Sequence, residues 1–64
     1  MPIIHIQMLE GRPVEKVKEL ISNVTRTVVE TLDVKEESVR ILVTEIPKTH
    51  WGIAGNSVSD ISKR

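Results

Sequence analysis

The chain has 64 residues, nine basic and nine acidic side chains, a formal net charge of +0 and no cysteine. A single domain of this size buries only about 60% of the surface its unfolded form exposes, and without cysteine it lacks both disulfides and thiolate metal ligands as a staple. Balanced charge with no block of either sign argues against a nucleic-acid or membrane-binding surface.

Residues 1–64 are expected to form one domain. No run reaches membrane-spanning length, and the opening lacks the basic start of a signal peptide, so a soluble cytoplasmic protein is expected. His5 and His50 lie too far apart to suggest a metal site, and no cofactor is expected. Self-association is then the remaining route to stability.

Pro2 to Leu9 predicts a strand. Alternation puts Ile4, Ile6 and Met8 on one face and Ile3, His5, Gln7 and Leu9 on the other, largely apolar on both, so cover on both sides is expected. Glu10-Gly11-Arg12 breaks it. Pro13 suits the first helical position and Glu15 puts negative charge in the first turn. Val14, Val17, Leu20, Ile21, Val24, Val28 and Leu32 recur at helical spacing, so the helix should end near Leu32-Asp33. Thr25, Thr27, Val28 and Val29 are β-branched, so packing rather than propensity must hold this helix.

After a polar connection, Lys35 to Ser38, the stretch Val39 to Ile46 predicts a second strand, stopped by Pro47. The helix between is long enough for a parallel crossover, which is right-handed in nearly all proteins. The fold class is therefore α/β, a single βαβ unit. Lys48 to Gly55 predicts a turn or short hairpin, and the polar tail from Asn56 to Arg64 has Val58 and Ile61 as anchors. One βαβ unit leaves two sheet edges and one open face, which other copies are expected to cover.

Pro2 carries the sharpest chemical signal. Removal of Met1 turns its nitrogen from an amide into a free secondary amine, held in a rigid ring. Unperturbed terminal amines titrate at about 7.7–8.0. Desolvation or a nearby cation lowers that value toward neutrality, where a general base works best.

Together, Pro2, Leu9-Glu10-Gly11-Arg12, Ser38-Val39-Arg40 and His50-Trp51-Gly52-Ile53-Ala54-Gly55 resemble the 4-oxalocrotonate tautomerases over nearly the whole chain. The resemblance implies a homohexamer, a trimer of βαβ dimers, that moves a proton within an unsaturated 2-hydroxy or 2-oxo dicarboxylate. It implies Pro2 as general base and then acid. Arg12 would hold the distal carboxylate, and Arg40, from another subunit, would bind the carboxylate and oxygen near the reacting end. Trp51 stands where that family more usually has phenylalanine, as an aromatic wall near the proline, with Leu9 and Ile53 as further lining. Two planar guanidinium groups grip a diacid through paired hydrogen bonds that lysine cannot copy.

Plainer roles exist for the same residues. Arg12 beside a glycine is ordinarily a solvated loop residue, and Arg40 in an apolar strand ordinarily an ion-pair or edge residue. Trp51 serves equally as a core or interface anchor, and Leu9 and Ile53 as plain core. His5 and His50 fit interface or surface positions better than acid–base roles. Two rival functions remain: a hydratase or dehalogenase relative, and a non-catalytic subunit of a mixed hexamer. The first needs a carboxylate near the proline, yet the first acidic residue after Trp51 is Asp60.

Overall fold

The computed structural model describes residues 1–62. Strand β1 (Ile3–Leu9) leads to helix α1 (Val14–Leu32), a 3-10 turn (Glu36–Ser38) and strand β2 (Arg40–Ile46). A second 3-10 turn (Lys48–His50), the short strands β3 (Gly52–Ile53) and β4 (Asn56–Ser57), and helix α2 (Val58–Ile61) complete it. β1 and β2 pair in parallel from Ile3 opposite Arg40 to Leu9 opposite Ile46. β3 and β4 form an antiparallel hairpin. This is the α/β, βαβ-plus-hairpin architecture expected from the alternation and helical period.

α1 begins one residue later than the sequence suggests. Pro13 is its N-cap, with an extended ψ of 146° and no side-chain cap. Its fixed φ still directs the chain into the helix. Thr25 and Thr27 donate their hydroxyls to the carbonyls of Ile21 and Asn23, at 2.7 and 3.1 Å, which satisfies them inside a helix they otherwise disfavour. The helix ends at Asp33 in the left-handed region (φ 55°), where the N–H groups of Asp33 and Val34 both reach the Val29 carbonyl.

Along β1 and β2 one face is half-buried against α1: Ile4, Ile6 and Met8 beside Ile41 and Val43. The other face carries Ile3, His5 and Gln7 beside Arg40, Leu42 and Thr44, all exposed. Within the chain one side is thus covered by α1, and the other is the open face that other copies are expected to cover. Ile3 is 68% exposed and Leu42 50%, and Val39 is the one buried hydrophobic residue among those described. His5 Nε2 and Thr44 Oγ1 hydrogen-bond at 2.7 Å across this bare face.

Two features of the C-terminal third escape the expectation of a simple turn and polar tail. Lys48–His50 forms a 3-10 turn behind Pro47, and α2 packs on it. α2 is capped by Ser57, whose Oγ accepts from the Asp60 N–H at 3.3 Å. Lys63 and Arg64, the end of the predicted tail, lie outside the described residues.

The β3–β4 hairpin turns through Ala54 (φ 53°) and Gly55 (φ 85°). Both central residues at positive φ is the geometry that favours Asn-Gly, and left-handed backbone costs an alanine about 1–2 kcal/mol. Ala54→Asn is therefore expected to stabilise the protein by about 0.5–1 kcal/mol. Thermal unfolding checks this, and a lower midpoint would contradict strain at Ala54.

Candidate active site

The parallel register brings Pro2 and Arg40 together at one end of the sheet. The Arg40 backbone N–H donates to the Pro2 carbonyl at 3.0 Å, one step beyond the Ile3–Arg40 pair. Met1, which acylates the Pro2 nitrogen, is 79% exposed, so its removal takes away no packed side chain. Ile3 and Arg40 share the bare face. Alternation therefore sends the Pro2 ring and the Arg40 side chain to opposite faces. The guanidinium folds back toward its own 3-10 turn, donating to the carbonyls of Glu37 and Val39.

Leu9, Arg12 and Trp51 sit at the opposite end. Seven strand steps separate Pro2 from Leu9, about 23 Å at 3.3 Å per residue. Arg12 Nη1 donates to the Leu9 carbonyl at 3.2 Å, and its side chain lines a groove of about 430 Å³ with Met8, Lys16, Val17 and Leu20. This groove lies on the α1 side of the sheet.

Trp51 lines a separate hollow of about 230 Å³ on the bare side, with Gln7, Ile46, His50 and Gly52. Its carbonyl accepts from the Val58 N–H at 2.8 Å, so α2 fixes the indole-bearing backbone. Ile53 is 53% exposed on the hairpin and lines neither hollow.

One chain thus brings Pro2 and Arg40 to one end of the strands and Leu9, Arg12 and Trp51 to the other, with Arg12 on the α1 side of the sheet and Trp51 on the bare side. Lys16, Gln7 and His50 border these hollows without having been singled out for the chemistry. For Lys16 the signal was available, since it follows Arg12 by four residues across Pro13. For Gln7 and His50 no local pattern points to the contact, because the fold-back of the Lys48–His50 turn creates it.

A family described as tautomerase enzyme matches residues 2–61. A 2-hydroxymuconate tautomerase of Stutzerimonas stutzeri is 43% identical over 63 residues, 98% of this chain and 100% of the relative. The crystal structure of TomN, a 4-oxalocrotonate tautomerase homologue in the tomaymycin biosynthetic pathway, superposes with a TM-score of 0.94 at 35% identity, covering 98% of this chain and 97% of TomN. A heterohexameric 4-oxalocrotonate tautomerase from Chloroflexus aurantiacus matches with a TM-score of 0.88 at 34% identity, over 95% and 98% of the two chains. With likeness of this extent in both sequence and backbone, the chain belongs to the tautomerase enzymes, within the 4-oxalocrotonate tautomerase family, and is an isomerase.

Proposed function

We propose that this isomerase moves a proton within 2-hydroxymuconate-like unsaturated 2-hydroxy or 2-oxo acids, with the amine of Pro2 as general base and then acid. The observation that supports this reading is the 43% identity to a 2-hydroxymuconate tautomerase over 98% of this chain, which itself carries Pro2, Arg12 and Arg40 together. The amine takes the proton from the 2-hydroxyl and returns it to a carbon of the conjugated chain. Negative charge develops on the 2-oxygen meanwhile, and the Arg40 guanidinium stabilises it. Arg12 holds the distal carboxylate, Trp51 walls the amine from water, and Leu9 and Ile53 complete the lining. No step calls for a metal or cofactor.

The working unit is a homo-oligomer, a hexamer by analogy with the family. Pro2 and Arg12 of one chain are too far apart to hold one small diacid. Arg40 turns to the face away from its own Pro2 ring, which favours service to a neighbour's proline. An isologous pair of chains sets one protomer's Pro2 end against the other's Arg12 end, twice over.

Surface area supports the same conclusion. The chain exposes 5018 Å², whereas a compact monomer of its mass exposes about 4,100 Å². An excess of about 900 Å² fits a chain that leaves apolar surface for partners to cover. Its radius of gyration, 15.2 Å, likewise exceeds the roughly 11 Å of a compact chain this long. Because Pro2, Arg12 and Arg40 all occur in this chain, a homo-oligomer is complete without the second subunit type of the Chloroflexus relative. None of the described helices is long and apolar enough to cross a membrane, and we assign the enzyme to the cytoplasm.

The test is intact mass of the purified chain, its native mass, and an ultraviolet assay on 2-hydroxymuconate. Turnover by an oligomer lacking Met1 is expected, and a monomer with full activity would refute the shared site. Arg12→Ala is expected to raise KM for the diacid by about 10- to 100-fold, the range of a hydrogen bond between charged groups, with a smaller change in kcat.

A further inference from the structure

Arg12 shares its groove with a second cation. Lys16 lines the same space of about 430 Å³, and the other walls, Met8, Val17 and Leu20, are apolar. The sequence explains the pairing. Pro13 caps the helix between them, so Arg12 precedes α1 and Lys16 falls in its first turn. Helical side chains lean toward the N-terminus, which carries the lysine stem back toward Arg12. The Lys16 ammonium meets Glu19 Oε2 at 3.6 Å, with the side chains 68% and 61% exposed. So exposed a pair is worth little and exchanges readily for a better anion.

We propose that Lys16 is a second carboxylate-binding cation of the substrate site. It makes the enzyme select unsaturated 2-hydroxy or 2-oxo acids that carry another carboxylate at the far end of an apolar, conjugated chain. The inference rests on reading Arg12 as the group that holds the distal carboxylate. Apolar walls contact the unsaturated chain, and the two cations meet its terminal anion. A monoanionic acid would instead set an uncharged end against two positive charges, with no gain from either.

The experiment compares kcat/KM for 2-hydroxymuconate with that for phenylenolpyruvate, a monoacid, on the same preparation of each variant. A partly folded fraction then changes both values equally and leaves their ratio intact. Lys16→Gln is expected to lower the diacid-to-monoacid ratio about three- to fivefold, the upper part of the range of an exposed charge pair. Lys16→Glu should lower it further, and Lys16→Arg should hold it within about twofold. Glu19→Gln, which frees the ammonium, should raise it. The changes should lie in KM for the diacid and shrink at high salt. If Arg12→Ala lowers the ratio while Lys16→Gln and Lys16→Glu leave it unchanged, the role of Lys16 is overturned and that of Arg12 stands. If Arg12→Ala also leaves it unchanged, the distal-carboxylate reading falls and takes this inference with it.

Discussion

Pro2→Ala is expected to lower kcat by about 10²-fold, with a smaller change in KM. Positioned general bases contribute about 10²–10⁴-fold. Alanine keeps a primary amine at the same chain end, so the loss should fall toward the lower bound. Blocking the nitrogen altogether, by forcing retention of Met1, should remove the whole factor. The Arg40 N–H donates to the backbone carbonyl of residue 2, which both variants keep, and residue 2 lies outside β1, so the fold should survive. Stopped-flow turnover on 2-hydroxymuconate, with intact mass recorded for the same sample, decides it. Equal turnover by protein that still carries Met1 would end the case for the amine.

The second large effect belongs to Arg40. Arg40→Ala is expected to lower kcat by about 10²–10³-fold, the loss typical of removing one preorganised donor to a developing oxyanion, and to raise KM less. A structural role must be separated from this. Within its own chain the guanidinium donates to the carbonyls of Glu37 and Val39, and losing these costs about 1 kcal/mol of stability. Arg40→Lys retains charge without the planar fork and should recover only part of kcat. A lowered melting temperature with unchanged kcat would make the residue structural.

Mixing Pro2→Ala and Arg40→Ala chains after joint unfolding and refolding tests whether the two residues act across protomers. If they do, random assembly restores up to about a quarter of the sites. If both residues serve the site from one chain, mixing restores none.

Legibility varied along the chain for identifiable reasons. α1 was readable almost to the residue, because Val17, Leu20, Ile21, Val24 and Val28 repeat at a period set by the helix itself. β2 was displaced by one residue at its start. The 3-10 turn takes Glu36–Ser38, and Val39 becomes the buried hinge before the strand. A hairpin is present as expected, but it spans Gly52–Ser57 rather than Lys48–Gly55: Ala54-Gly55 forms its turn, and its second strand takes the first two residues of the expected tail. α2 was missed because four residues are too few to show a period, although Ser57-Val58-Ser59-Asp60 carries the spacing of a helix cap.

The site divides in the same way. Pro2, Arg12, Arg40 and Trp51 stood out because a terminal ring nitrogen, two forked cations and a lone aromatic are distinctive wherever they fall. Residue types and the two backbone periods, all settled by near neighbours, were enough for the βαβ order and the family likeness. Only the folded chain decided that Arg40 lies beside Pro2, that Leu9, Arg12 and Trp51 gather about 23 Å away, and that Arg12 and Trp51 face opposite sides of the sheet. Those placements follow from a register between residues nearly forty positions apart. Such a register arises when α1 packs one sheet face as a whole, and no local stretch encodes it.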